Sequence, residues 1–287
     1  MYSLHVYLSN LLYNPEAQIC FQDPSTSLME NIIDLHHFIF FFVVVISGLV
    51  LWLLFQIIDN FIYSYRFVNK RMSKVRNIYY NESVDNYLIY NFAQLNYKNR
   101  TFKENKTLEA CWTLFPAVIL IIISVPSFYM LYISEESVTT VLTVKVVGYQ
   151  WYWTYDYTNF FPEWFNIKTD SKDIDDYIIE SYMEPEEYLN KEEGSFRLLE
   201  TDNILILPTR VHLSIIVTSM DVLHSFCVPS LGVKIDAVPG RLNKMDIFIY
   251  RMGVFYGQCS EICGIGHGFM PICLHAVSFL NFLIGDL

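Results

Sequence analysis

Two stretches of the chain run for the length of a helix without a charge. Phe38 to Ile58 is 21 uncharged residues ending at Asp59, and Ala110 to Ile133 is 24 between Glu109 and Glu135. A bilayer core takes about 20 apolar residues in helix, and core helices of soluble proteins seldom lack a polar face for so long. The pattern therefore predicts two membrane-spanning helices, about 34–62 and 107–134, joined by a connector, 63–106. Beyond residue 134 the period changes. Val211, Leu213, Ile215 and Val217 alternate with His212, Ser214, Ile216 and Thr218; Leu142, Val144 and Val146 alternate with Thr143 and Lys145; Met245, Ile247 and Ile249 alternate with Asp246 and Phe248. Turn signals such as Asp202-Asn203 and Pro239-Gly240 separate the runs. Short strands with no helical pattern between them predict an antiparallel sandwich or barrel. Within it an acidic segment, about 160–193, shows no strand pattern and reads as a long surface loop.

Charge then divides the chain. The connector 63–106 carries nine basic residues against three acids, and residues 1–33 carry no Lys or Arg. Basic loops stay on the side from which a chain is inserted. The N-terminal tail (1–33) and the β domain (135–287) are thus expected on the opposite side. That domain holds 10 basic and 21 acidic residues, which fits either a basic partner steered by its field or a solvated acidic surface. No Arg-rich targeting segment precedes the first span, and the heavy use of Phe, Tyr, Ile and Asn is what an AT-rich organelle genome produces. Three Asn-x-Ser/Thr triplets, at Asn81, Asn99 and Asn105, fall on the non-translocated side and are read as chance.

The chemistry is concentrated in Cys259-Ser260-Glu261-Ile262-Cys263-Gly264-Ile265-Gly266-His267-Gly268-Phe269-Met270, spaced C-x3-C-x3-H-x2-M, with His224 lying upstream. Soft thiolate and thioether donors with imidazoles select copper over hard cations. A mononuclear blue-copper site needs one Cys; a second, four residues on, lets two thiolates bridge a metal pair, with His224 and His267 serving one ion each. Met270 suits a weak axial position, and a loop carbonyl the other. Sharing one electron between two ions lessens the geometric change at each, which suits electron transfer. A disulfide or a zinc half-site is the alternative reading of the Cys pair alone; neither needs both the His and the Met. Cys20, Cys111, Cys227 and Cys273 are read as packing thiols, and His36 and His37 as capping or interface residues at the start of the first helix.

At these residues the chain resembles subunit II of the haem–copper cytochrome c oxidases. The resemblance is carried by Asp221 to Phe226, Val228 to Gly232, Asp236 to Asn243, Tyr256-Gly257-Gln258 with the metal loop, Gly148 to Trp153, Phe21-Gln22-Asp23 and Glu109 to Ala117. It implies a two-helix transmembrane hairpin plus an all-β cupredoxin-like Greek-key sandwich or barrel. It implies a binuclear copper A centre on His224, Cys259, Cys263, His267, Met270 and the main-chain carbonyl of Glu261. The Glu261 carboxylate would reach a magnesium or manganese ion shared with subunit I. Trp151 matches the residue that takes the electron from cytochrome c, and Glu109 the entrance of a proton path. Asp202 and Asp221 are docking candidates for that basic partner, and no nucleic acid is implied. Oxygen reduction belongs to the haem-bearing subunit I, and the expected place is the mitochondrial inner membrane, with both termini and the copper domain in the intermembrane space. Tyr149 stands where the family often has His, and the connector and acidic loop are longer than usual. A copper chaperone, a quinol oxidase subunit and nitrous oxide reductase are disfavoured by the two spans, by the complete ligand set and by the length of the chain.

Overall fold

The computed structural model of the chain describes residues 20–58, 103–157, 178–189 and 194–284; most of the basic connector and of the acidic insertion lies outside them. Helix α1 is Ser27–Ile58 and helix α2 is Lys106–Glu135. Helix α1 begins seven residues before the expected position 34. Its start is set by a cap, because the Thr26 hydroxyl accepts the Met29 N–H at 3.1 Å, with Glu30 in the first turn at the positive end of the helix dipole. The charge-free run marks only the apolar part of this helix. His36 and His37 consequently lie well inside α1, beyond its N-cap; His36 stacks on Phe40, ring centroids 5.7 Å apart.

At α2 the cap is Asn105, whose side-chain oxygen accepts Leu108 N–H at 3.1 Å, while the Glu109 carboxylate accepts Asn105 N–H at 3.2 Å. Both helices leave large apolar side chains uncovered, among them Phe41, Leu51, Phe55, Leu120, Ile121 and Val125. Such continuous apolar surface is stable in lipid and not in water. Cys111 on α2 is exposed, as is Cys20, so neither is a packing thiol; Cys227 and Cys273 are buried as expected.

The β domain is built from β1 (Leu142–Tyr149), β2 (Tyr152–Asp156), β3 (Ile178–Ser181), β4 (Leu205–Pro208), β5 (His212–Ser219), β6 (His224–Val228), β7 (Val233–Ala237), β8 (Asn243–Phe248), β9 (Gly253–Cys259) and β10 (Pro271–Val277), with a short terminal helix α3 (Phe279–Ile284). One sheet has the order β3-β2-β1-β5-β8, the other β4-β10-β9-β6-β7. The alternation read from the sequence is realised: Leu142, Val144 and Val146 of β1 and Leu213, Ile215 and Val217 of β5 point into the core with Trp153, Tyr155 and Phe226.

Two features depart from the expectation. The sheets are not purely antiparallel, since β1 pairs with β5, and β4 with β10, in parallel. The chain leaves β1 through β2 and β3, crosses to the other sheet as β4, and returns as β5 running the same way, the long excursion that a parallel pair requires. The acidic segment also contributes β3, whose four residues extend the sheet beyond β2. So short a strand, with Ile178 and Ile179 adjacent instead of alternating, owes its form to that pairing and leaves no periodic trace.

Part of the N-terminal tail is sewn to this domain. Ser25 N–H donates to Ser230 O at 2.9 Å, Tyr250 N–H to Ser25 O at 3.1 Å, and the Thr26 hydroxyl to Leu231 O at 2.8 Å. Ser25 and Thr26 are fully buried.

Candidate metal centre

The ligand-bearing residues sit where two irregular segments meet the ends of interior strands of the second sheet. His224 opens β6, Cys259 closes β9, and the loop from Ser260 to Met270 carries the rest before β10 begins. Because β6 and β9 are adjacent, with Phe226 opposite Cys259, His224 and Cys259 are brought together despite their separation in sequence. The candidate donor atoms of His224, Cys259 and Cys263 lie within 4.8 Å of one another, all three residues buried.

Around the two sulfurs the other donors are arranged in pairs. The sulfurs are 3.9 Å apart, far beyond the roughly 2.05 Å of a disulfide. His224 Nδ1 is 3.9 Å from Cys259 Sγ, and His267 Nδ1 is 3.6 Å from Cys263 Sγ. Met270 Sδ lies 3.5 Å from Cys263 Sγ, and the main-chain oxygen of Glu261 lies 3.3 Å from Cys259 Sγ. Each sulfur thus has one imidazole and one weaker donor beside it. Met270 is buried and its carbonyl is held by the Trp153 indole N–H at 3.2 Å. The Glu261 side chain is exposed.

The electrostatics allow one thiolate and resist a second. Burial disfavours ionising Cys259, but contacts with His224 and with the backbone of Ser225 and Glu261 outweigh it, so its pKa falls to about 7. Burial, and then the neighbouring Cys259 charge, push the Cys263 thiol up to about 12. One thiolate forms readily; two at 3.9 Å need positive charge between them.

The His224 tautomer is settled by its neighbour. Asp221 Oδ1 lies 2.8 Å from His224 Nε2; a carboxylate only accepts, so Nε2 carries a proton and Nδ1, turned toward Cys259, is the nitrogen that can serve a metal once it is unprotonated. Asp221 also accepts Gln150 N–H at 2.7 Å and Val222 N–H at 2.6 Å. Gln150 and Trp151 form the two-residue turn of the β1–β2 hairpin, and both side chains reach the metal loop. Gln150 Nε2 donates to Cys263 O at 2.8 Å, and the Trp151 indole N–H to the same oxygen at 3.2 Å. Gly264 (φ 119°) follows in a conformation that favours glycine. A Cβ on Gly266 would overlap the Trp151 ring carbons, so the ring lies directly on the loop. Trp151 remains 37% exposed.

The other expected sites lie elsewhere. Asp202 is exposed and its Oδ1 accepts Tyr182 N–H at 2.7 Å. Glu109 is on α2. Tyr149 stacks on Tyr152 at 4.8 Å, and Tyr152 on Tyr182 at 4.4 Å, which places the substituted position in an aromatic ladder away from the sulfur cluster's contacts. The hydrogen bonds of Gln150 and the support of Met270 by Trp153 were not foreseen; both residues stand inside the Gly148–Trp153 block, where only their proximity in space reveals the role.

Residues 142–277 match the family described as cytochrome C oxidase subunit II, periplasmic domain, and residues 14–78 and 84–130 match its transmembrane domain. This chain belongs to the cytochrome c oxidase subunit II family. It is one chain of an oxidoreductase complex. Cytochrome c oxidase subunit 2 of Cyanidium caldarium is 44% identical over 266 residues, 93% of this chain and 88% of that protein. Its counterpart in Saccharomyces cerevisiae is 40% identical over 283 residues, covering 98% and 96%. Among solved structures, the periplasmic domain of cytochrome oxidase subunit II from Bradyrhizobium japonicum matches with 37% identity and a TM-score of 0.42, over 52% of this chain and 94% of that one. The family is copper-binding, and the donors gathered here fit that metal in kind: two thiolates, two imidazoles, a thioether and a carbonyl.

Proposed function

We propose that this chain takes electrons from cytochrome c at a binuclear copper centre and passes them to the haem-bearing subunit I of a terminal oxidase. The observation that carries the reading is the pair of free sulfurs 3.9 Å apart, each with its own imidazole. His224, Cys259, Cys263, His267, Met270 and the Glu261 carbonyl would hold two copper ions. Bound there, the pair supplies a one-electron acceptor whose geometry changes little on reduction.

The chain's own residues account for the rest. Trp151, at a hairpin tip and partly exposed, is the entry point, and its indole N–H gives a direct link to Cys263 O. Burial of both cysteines, His224 and Met270 keeps water from the sulfurs. The Glu261 carboxylate, exposed while its carbonyl faces Cys259, is free to meet a magnesium or manganese ion shared with subunit I. Asp202 and Asp221, with the acidic balance of residues 135–287, would attract a basic cytochrome c. Glu109 would open a proton path; its bond to Asn105 N–H is the helix-start role that competes with this. The basic connector supports an orientation with both termini and the copper domain in the intermembrane space of the mitochondrial inner membrane.

The test is the copper signal of the oxidised enzyme. One electron shared between two equivalent copper nuclei gives a seven-line hyperfine pattern in electron paramagnetic resonance. A four-line pattern would mean a single copper and end the binuclear reading.

A further inference from the structure

We infer that Gln150 and Asp221 act together as positioning residues for the metal centre, tying its two ligand-bearing segments into one unit. The inference rests on the copper reading above and gives Asp221 a supporting role beside its docking charge.

His224 and the loop carrying Cys263 come from separate parts of the chain and are joined by three hydrogen bonds in series. His224 Nε2–H donates to Asp221 at 2.8 Å, Gln150 N–H donates to the other Asp221 oxygen at 2.7 Å, and Gln150 Nε2 donates to Cys263 O at 2.8 Å. Asp221 is itself fixed by Val222 N–H at 2.6 Å. The carboxylate therefore has donors on both oxygens while its side chain stays partly exposed. Gln150 uses its main chain toward one ligand and its side chain toward the other, so a shift of the hairpin tip moves His224 and Cys263 together. Partners of this kind fix ring orientation and ligand basicity. The arrangement needs no charge on Gln150, only its amide donors and the exposed turn that places them.

Two variants of the intact oxidase separate support from docking. Asp221→Glu keeps the charge but lengthens the side chain by one methylene; Gln150→Leu alters no charge and lies at an exposed turn. Both should change the copper hyperfine pattern and visible spectrum and weaken copper retention against a chelator by about tenfold. Asp221→Glu should leave the low-salt association rate with cytochrome c unchanged. Parental spectra and copper retention in both variants overturn the inference. A parent enzyme that lacks the copper-pair signal overturns the copper reading instead.

Discussion

Two regions of the β domain show opposite ways of handling buried polar atoms. In the clasp, formed by residues 23–30 with Ser230 to Leu231 and Tyr250-Arg251, the buried Ser25 and Thr26 have their hydrogen bonds satisfied within the chain. Arg251 adds Nη2 bonds to Ser25 Oγ at 2.8 Å and to Asp23 O at 3.0 Å. In the metal region, sulfurs and ring nitrogens converge on one another at 3.5 to 3.9 Å, contacts in which several soft donors share one small space. The clasp closes its main-chain groups and the Ser25 and Thr26 hydroxyls within the chain, leaving the buried Ser230 hydroxyl without a partner among the described residues, and works as a joint. The metal region is a set of donors suited to a cation, and Asp221, Gln150 and Trp153 hold those donors in place.

The largest break in this contrast is expected from Gly266→Ala. The new Cβ would overlap the Trp151 ring, forcing the indole off the loop and away from Cys263 O. Electron transfer weakens as the donor moves from its path, so electron entry from cytochrome c, followed by stopped-flow spectroscopy, should slow severalfold or more. The clasp would not register the change. Equal loss of cytochrome c binding would mean that Trp151 serves docking more than transfer.

Next in size is the pH dependence of copper uptake by the metal-free protein. Copper binds thiolates, so protons compete and affinity falls as pH falls. Well above neutrality and up to about pH 12 Cys263 must lose a proton; toward and below about pH 7 Cys259 has one to lose as well. So does His224, where burial lowers the pKa but hydrogen bonds to Cys259 and Asp221 outweigh it and leave it raised. A competition assay should therefore show a steeper loss of affinity below about pH 7, by at least roughly tenfold more per pH unit. An unchanged slope through that point would mean that the two thiols are not coupled as their separation implies.

How much of this was legible in the sequence follows the same division. The two spans, the strands with strict alternation and every donor of the metal loop could be read directly, because each leaves a local pattern: a charge-free run, a period of two, or soft ligands at fixed spacing. The parallel pairings of β1 with β5 and β4 with β10 could not, since strand direction depends on where the chain returns. The clasp was equally hidden. Asp23-Pro24-Ser25-Thr26 has no period, its partners lie more than 200 residues away, and its one local signal, a Thr at a helix start, was masked by a boundary drawn from charge. Asp221 was read by its charge as a docking residue, and only its distance to His224 shows the other use.

The smallest effect on copper, and the sharpest test of the contrast, is expected from Thr26→Val. The substitution keeps the volume and removes the hydroxyl that both caps α1 and donates to Leu231 O. Loss of an N-cap costs about 1 kcal/mol, and a buried carbonyl left without its donor costs roughly 1–3 kcal/mol more. At a few degrees per kcal/mol for a domain of this size, the thermal midpoint of the intact enzyme should drop by about 4 to 12 °C. The copper hyperfine pattern should stay parental, because no donor atom is held by the clasp. A changed copper signal at unaltered thermal stability would mean that the two regions are coupled through the sheet, and the separation between joint and donor set would have to be abandoned.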